Sequence, residues 1–346
     1  MPGDLTVMVL DSRMPFAPAL VRCLTTAGIE VVLADTFQPA VWRGAALRVS
    51  APASDPAGFS RDVARCCRQR RVDVVLPLLE SGLFLDRSIL PPSTLLMAPE
   101  PHVGWRLHDK ATFIDLAAVA GIRCPDAVRS VPTAPGDVVV RPRFGRAGEG
   151  MMRLPGGELT TDVLNDRALL VTRWVPGRDF STLSVVDRGR VTAEVSYIRR
   201  PHLERDRGLA VQRLDRGPGL EESRALIAAS GVRDGFIGFD FRASDGSVFA
   251  LECNPRPTPG VLLLEATVDT CRSVRWKPRD AVSAMVPGAE TGAWTRDWRP
   301  MGDITADLAE FEASSTARSA GSAAAQIGGG DVPTGVGRRL SCRSHW

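Results

Sequence analysis

Three side chains with oxygen donors, Asp240, Glu252 and Asn254, lie close together in the sequence FIGFDFRASDGSVFALECNPRP, residues 236–257. Apolar and aromatic runs flank Asp245-Gly246, a pair typical of a tight turn, which predicts a β-hairpin. Glu252 and Asn254 are two residues apart on the second strand, so their side chains leave the same face. Two carboxylates and an amide oxygen on one face predict a site for a hard cation, Mg²⁺ or Mn²⁺, with phosphate oxygens completing its coordination.

The register of this hairpin decides whether Asp240 belongs to the set. It joins the other donors only if it pairs with Glu252, which requires an odd-length loop. We therefore expect a three-residue turn over Asp245–Ser247 with a bulge. The alternative is an edge hairpin with polar residues facing solvent. Arg256, two residues after Asn254, is a candidate to neutralise a transferring phosphoryl group or a substrate carboxylate.

Strands and helices alternate in the first part of the chain, which predicts a small open parallel sheet. The pattern indicates strands at Leu5–Asp11, Glu30–Ala34 and Val72–Leu78, and helices at Ala17–Ala27 and Pro56–Arg70.

A dinucleotide-binding domain is the competing interpretation of this alternation. Asp35 follows the second strand, as the ribose-binding acid of such a domain does. The first strand, however, is followed by Asp11-Ser12-Arg13-Met14-Pro15 and lacks the G-x-G-x-x-G fingerprint, so we reject NAD binding. Arg13 and Glu80, at or just after strand ends, are candidates for substrate contacts, and solvated loop residues are the alternative.

A glycine-rich segment follows the strand predicted at Asp137–Pro142. Gly145, Gly148 and Gly150 allow the backbone of RFGRAGEG to approach a phosphate and donate N–H groups to it. An ordinary β-turn is the alternative interpretation. The phosphate-binding hypothesis therefore depends on what surrounds the loop.

The segment LECNPRPTPG, with D-F before the turn, resembles the metal-binding end of ATP-grasp domains such as those of biotin carboxylase, D-alanine:D-alanine ligase and carbamoyl phosphate synthase. The similarity extends from about residue 7 to about residue 264 and is closest to carbamoyl phosphate synthase-like proteins. It implies an α/β preATP-grasp domain with a parallel sheet at 1–105, and an α+β ATP-grasp fold at 106–286. The latter has a small lobe at 106–175 and a large lobe at 176–286. Residues 287–346 include a Ser/Ala/Gly-rich segment that predicts a poorly structured tail.

The same resemblance assigns roles to residues that spacing alone leaves open. Lys110, which with Lys277 makes up all the lysine of the chain, is implied to reach the nucleotide phosphates. Arg141, where the family commonly has lysine, is implied to bridge phosphate and take part in catalysis. The implied contacts to adenine and ribose are Arg173, Trp174, Val175 and Asp179, and an arginine cluster implied near the γ-phosphate begins at Arg199-Arg200-Pro201-His202.

These roles lead to an ATP-dependent ligase that phosphorylates a carboxylate to an acylphosphate and joins it to an amine or thiol. Two alternatives stay open: a bicarbonate-phosphorylating enzyme, and a non-catalytic nucleotide-binding module. The module is motivated by Arg141, by Arg173, which stands where the family commonly has an acid, and by the tail, which does not resemble the ordered structure of the family.

Composition excludes several other classes of protein. The net charge of +3 over 346 residues argues against nucleic acid as a partner, and no apolar stretch reaches bilayer length. Because the start lacks a signal-peptide pattern, we expect a cytoplasmic protein. The seven cysteines have no C-x-x-C spacing and predict reduced, mostly buried thiols. Dimers are common among the proteins that the chain resembles, and the resemblance therefore implies a homodimer as a candidate assembly.

Overall fold

The computed structural model describes residues 5–131, 136–146, 148–200, 210–214 and 217–264. It contains three sheets, and the first is a five-stranded parallel sheet in the order β3-β2-β1-β4-β5. Its strands and the two helices between them are β1 Thr6–Leu10, α1 Ala17–Thr26, β2 Glu30–Asp35, β3 Leu47–Arg48, α2 Pro56–Arg70, β4 Val74–Pro77 and β5 Leu95–Leu96.

Local sequence explains why these elements form where they do. All five residues of β1 are buried, as expected for the centre of a parallel sheet covered on both faces. The helix α2 begins at Pro56, and the side chain of Asp55 caps it by accepting a hydrogen bond of 2.8 Å from the Gly58 backbone N–H. The parallel sheet and the bounds of α2 match the prediction, whereas the two-residue strands β3 and β5 carry too little pattern to be predicted.

Two helices and a small antiparallel sheet follow. The helices are α3 Pro101–His108 and α4 Lys110–Val119, and Asp109 between them caps α4. The helix α3 continues across the domain boundary expected after residue 105. The small sheet has the order β7-β6-β8, with β6 Asp137–Pro142, β7 Met152–Pro155, α5 Thr161–Asn165 and β8 Leu169–Arg173.

The third sheet is antiparallel, with five strands in the order β11-β10-β9-β12-β13. Its elements are β9 Arg178–Asp187, β10 Arg190–Arg200, β11 Ala210–Arg213, α6 Leu220–Ser230, β12 Gly235–Ser244 and β13 Ser247–Asn254.

This antiparallel sheet is covered on both faces. Leu183, Val195 and Tyr197 pack with residues of β1, α1 and β4, which joins the third sheet to the first in one core. Phe239 and Phe241 pack on the opposite face with residues of α3, α4 and α6. Burial of these side chains fixes the hairpin of β12 and β13 against the helix that carries Lys110.

Two further points concern the predictions on the whole chain. None of the helices among the described residues is long and apolar enough to cross a membrane. The tail predicted at 287–346, and the last residues of the expected large lobe, lie outside the described residues.

Candidate functional site

The hairpin of β12 and β13 brings the predicted oxygen donors together. Asp240 pairs with Glu252, as the metal hypothesis required, and Asn254 pairs with Gly238. The route to this register differs from the prediction, because Ser244 pairs with Ser247 across a two-residue turn. The extra residue is instead a bulge within β13, where Phe241 pairs with Ala250. The three-residue turn over Asp245–Ser247 was therefore wrong: Asp245 and Gly246 both adopt positive φ, as a tight primed turn requires.

Asp240 is held by three neighbours. The Ser181 hydroxyl donates to its Oδ1 at 2.5 Å, and Arg199 Nη2 donates to the same oxygen at 2.9 Å. Asn254 Nδ2 donates to Oδ2 at 3.3 Å. Arg199 is the only member of the predicted arginine cluster whose side chain the structure describes, since that of Arg200 and residues 201–202 lie outside the description. Its pKa is raised, chiefly by the charge of Asp240.

Glu252 is paired with the sole described lysine. The Nζ atom of Lys110 lies 3.4 Å from Glu252 Oε2 and donates to the Gly145 carbonyl at 3.0 Å. Burial raises the pKa of Glu252, and the neighbouring Asp240 raises it further, whereas Lys110 lowers it. Lys110 thus links the carboxylate donors to the glycine-rich loop, although it is bound to protein groups here.

Arg256 is buried in an ion pair that joins the hairpin to the parallel-sheet domain. Its Nε donates to Glu80 Oε1 at 2.7 Å, and its Nη2 donates to Asn254 Oδ1 at 3.2 Å. Burial raises the pKa of Glu80, but Arg256, together with His108 and Arg146, outweighs burial and lowers it to about 2. Both side chains are less than 10% exposed, so this pair fixes Arg256 beside the oxygen donors.

Arg141 lies in β6 and is turned toward β13. Its Nη2 donates to the Leu251 carbonyl at 3.0 Å, and Leu251 is the bulged residue. Its Nε has no partner among the described residues, and burial lowers the pKa of Arg141. The structure therefore places Arg141 next to Glu252 but bonded to the backbone.

The glycine-rich segment forms the loop between the antiparallel strands β6 and β7. Gly145, Gly148 and Gly150 all adopt positive φ, which explains why glycine is needed there. Arg146 extends from this loop to the parallel-sheet domain, where its Nη1 lies 3.4 Å from Glu80 Oε2. The loop is thus held at one point by Lys110 and at another by Glu80.

The predicted adenine hinge surrounds Trp174. The guanidinium groups of Arg153 and Arg242 each lie 4.2 Å from a centroid of its ring system. The Trp174 N–H donates to the Asp137 carbonyl at 3.0 Å, and the Arg173 N–H donates to the Asp126 carbonyl at 2.8 Å. The backbone N–H groups of both residues are therefore already bonded to other backbone carbonyls.

Arg242 also occupies the predicted ribose side. Its guanidinium pairs with both carboxylate oxygens of Asp179, at 2.5 and 2.9 Å. Its Nη1 donates to the Val175 carbonyl at 2.9 Å. A nucleotide that uses Asp179 and the Val175 carbonyl would have to displace these bonds. Arg242 carries no sequence signal for this role, because it appears as an ordinary strand residue.

A cavity of about 360 Å³ opens at the carboxyl ends of the parallel strands. Arg13 and Glu80, the predicted substrate contacts, both line it, together with Asp11 and Arg146. Asp11 follows β1 at a φ of 57° and accepts from the Leu79 N–H at 3.2 Å and from the Ser81 hydroxyl. Burial raises the pKa of Asp11.

His108 is a buried residue near the site that the sequence did not indicate. It is 2% exposed, and its Nε2 has no hydrogen-bond partner among the described residues. Burial lowers its pKa to about 4 even though Glu80 opposes the shift. A lone histidine at the end of a helix carries no pattern that distinguishes it from a core residue.

The donor chemistry fits a hard cation. Within the described part of the chain, no three His, Cys, Asp or Glu side chains form a metal-binding group, so an ion would depend on Asp240, Glu252 and the Asn254 amide oxygen plus ligand oxygens. Lys110 and Arg199 supply the positive charge that these two carboxylates need in the structure as it stands. Described cysteines are free thiols, and Cys253 is buried in the core as expected.

Comparisons with known proteins give a consistent result for the fold. No protein-family model matches the sequence, and no curated protein matches it significantly. Among solved structures, the L-amino acid ligase from Bacillus licheniformis is 15% identical with a TM-score of 0.53, and the match covers 75% of this chain and 69% of that one. Biotin carboxylase from Campylobacter jejuni, in a complex with β,γ-ATP, is 14% identical with a TM-score of 0.53 over 82% and 72% of the two chains.

A third neighbour is N5-carboxyaminoimidazole synthetase from Staphylococcus aureus with ADP, which is 14% identical with a TM-score of 0.52 over 75% and 72% of the two chains. These neighbours share the ATP-grasp fold, and the described part of this chain has that fold. The predicted fold class, a parallel sheet followed by an α+β ATP-grasp region, is confirmed.

Proposed function

We propose that the chain is an ATP-dependent ligase that activates a carboxylate as an acylphosphate and joins it to an amine or thiol. The observation that carries this proposal is the pairing of Asp240 with Glu252 beside Asn254, with Lys110 and Arg256 attached to the same donors. Two carboxylates held next to fixed cations suit a site that handles Mg²⁺ and phosphate together. The ATP-grasp fold supports the same reaction class by analogy.

The reaction needs positioning and charge neutralisation more than a protein nucleophile. A carboxylate oxygen of the substrate attacks the γ-phosphorus and ADP leaves. The amine or thiol then attacks the acyl carbon, loses a proton, and phosphate leaves. Bound Mg²⁺, held by Asp240, Glu252 and Asn254, would neutralise phosphate charge.

The cationic side chains have distinct parts in this scheme. Lys110 exchanges Glu252 for phosphate oxygens when the nucleotide binds, since its Nζ is within reach of both the donors and the glycine-rich loop. Arg256 stays fixed by Glu80 and stabilises negative charge on the transferring group or on the carboxylate. The loop of Gly145, Gly148 and Gly150 covers the phosphates and excludes water from the acylphosphate.

Nucleotide binding requires polar groups of the predicted adenine hinge to give up the hydrogen bonds that they make to protein. Arg242 holds both Asp179 and the Val175 carbonyl, so adenine and ribose contacts form only as Arg242 moves aside or bonds the nucleotide itself. Arg141 has to leave the Leu251 carbonyl, or bond a phosphate with its remaining donors. The second candidate, a nucleotide-binding module without catalysis, requires the same rearrangements and is motivated by Arg141 and Arg173, which stand where the family commonly has other residues.

Product analysis separates the two candidates. We would incubate the protein with Mg-ATP and a panel of carboxylates, amino acids and amines, and measure ADP and phosphate separately from AMP and pyrophosphate. The ligase predicts ADP release stimulated by one acid and abolished in Glu252→Gln, with Glu30→Gln, an exposed strand residue, as the control. Formation of AMP contradicts the acylphosphate route. Tight ATP binding without turnover on any acid supports the module.

A further inference from the structure

The cavity at the end of the parallel sheet contains carboxylates that are bonded to protein groups and guanidinium groups that keep N–H donors without a partner among the described residues. Its lining includes two carboxylates and two guanidinium groups. Asp11 Oδ2 accepts two hydrogen bonds, and its Oδ1 lies 3.5 Å from Arg13. Glu80 has one oxygen on Arg256 and the other on Arg146. Both carboxylates are therefore already committed to protein donors.

The two guanidinium groups of the cavity keep N–H donors that are not hydrogen-bonded to described residues. Arg13 uses Nη1 for Asp35 and Thr36, and Arg146 uses Nη1 for Glu80. No described residue accepts from the Nε or Nη2 of Arg13 or Arg146. Both side chains are partly exposed, at 22% and 32%, on a cavity that is large enough for a small molecule.

Because the carboxylates are bonded and the guanidinium donors are free within the described part of the chain, the cavity favours an anionic ligand. A ligand with a carboxylate or phosphate can accept from the free edges of two guanidinium groups, which match such oxyanions in geometry and charge. A ligand with an ammonium group would meet carboxylate oxygens that already face Arg13, Arg146 and Arg256. Phe37, over which Arg13 lies, and Phe84 supply apolar surface for the rest of the molecule.

We propose that this cavity binds an oxyanion group that is not consumed in the reaction, on one of the two substrates joined by the ligase, and that Arg13 and Arg146 hold it. The inference rests on the proposed function for its place in catalysis, because Glu80 and Arg256 connect the cavity to Asn254 at the oxygen donors. The reacting end of that substrate lies toward Arg256. Its second anionic group lies between Arg13 and Arg146.

The position of Arg146 has a mechanistic consequence. It belongs to the glycine-rich loop, whose neighbouring residue Gly145 is held by Lys110. A substrate anion that binds Arg146 therefore adds a contact, beside Glu80, that holds this part of the loop at the cavity. The cavity and the loop proposed to cover the phosphates are thus connected through one side chain.

Calorimetric titration tests the inference with three matched probes. Succinate carries two carboxylates, butyrate has the same chain length with one, and 3-phosphonopropionate replaces one carboxylate with a phosphonate. Each is titrated into the full chain with and without a non-hydrolysable Mg-ATP analogue. We expect a dianionic probe to bind about tenfold or more tightly than butyrate, as the loss of a charged hydrogen bond predicts. The tighter of succinate and the phosphonate identifies the oxyanion.

Variants locate the bound group. Arg146→Ala and Arg13→Gln are each expected to remove the preference over butyrate, while Arg65→Ala, a helix surface residue paired with Asp62, keeps it. Arg13 also holds Asp35, so Arg146→Ala, on a partly exposed loop, carries the test if Arg13→Gln does not fold. Binding of neither succinate nor the phosphonate more tightly than butyrate, no binding of any probe, or an unchanged preference in Arg146→Ala overturns the inference. Failure of the nucleotide analogue to bind contradicts the proposed function instead, because the probes are also titrated without it.

Discussion

Replacing Glu80 with Gln is expected to destabilise the folded chain by about 3 kcal/mol at pH 7. In the folded chain Arg256, together with His108 and Arg146, lowers the pKa of Glu80 from the ordinary 4.5 to about 2, a difference of roughly 2.5. At about 1.4 kcal/mol per pKa unit, this difference corresponds to roughly 3–4 kcal/mol in favour of the charged carboxylate. Removing that charge leaves Arg256 buried without its ion-pair partner, a change that typically costs 3–5 kcal/mol.

Unfolding by guanidinium chloride at pH 7 measures the loss of unfolding free energy, and Glu30→Gln, at an exposed position, is the control. The double variant Glu80→Gln, Arg256→Met should recover part of the stability, because no unpaired charge remains buried. The folded pKa lies below the unfolded one, so the stabilisation is present above pH 4.5 and is lost as pH falls toward 2. Glu80→Gln lacks this acid-dependent component. An unfolding free energy within about 0.5 kcal/mol of the original chain would refute the reasoning.

Two further changes have definite expected outcomes. Gly177→Ala places a Cβ 2.1 Å from the Ala243 carbonyl oxygen at a φ of 148°, so it should lower the melting temperature and weaken ATP binding, while Gly157→Ala, with open space around it, changes neither. His108 is neutral in the fold because burial lowers its pKa from 6.5 to about 4. It therefore contributes stability above pH 6.5 that is lost as pH falls to 4. His108→Gln should weaken the pH dependence of the free energy of unfolding between pH 6.5 and 4. An unchanged pH profile would contradict the burial of a neutral imidazole.

The sequence predicted the parts of the fold that depend on local pattern. Apolar strands and capped helices are short-range signals, which is why α2 and β6 begin and end where expected. The pairing of Asp240 with Glu252 was also predicted, but the residue that sets its register was placed in the turn. At the bulge, the Ala250 N–H donates to the Arg123 carbonyl and Arg141 donates to the Leu251 carbonyl. Turn chemistry alone does not reveal these hydrogen bonds from other elements.

Long-range pairs account for most of what the sequence did not show. Glu80 and Arg256 are 176 residues apart, and each was a candidate separately without any indication that they form one buried pair. Arg242 lies in a strand pattern that is equally compatible with a solvent-exposed side chain, yet it engages Asp179 and Val175. Such contacts arise from the packing of whole elements, so no local spacing encodes them.

Mg²⁺-dependent release of ADP tests the central claim most directly. We predict that one carboxylate stimulates ADP and phosphate formation by the full chain, and that Glu252→Gln reduces this activity by at least about a hundredfold while remaining folded. AMP formation, or equal turnover by Glu252→Gln and the original chain, would contradict the assignment of Asp240, Glu252 and Asn254 to the phosphoryl-transfer site.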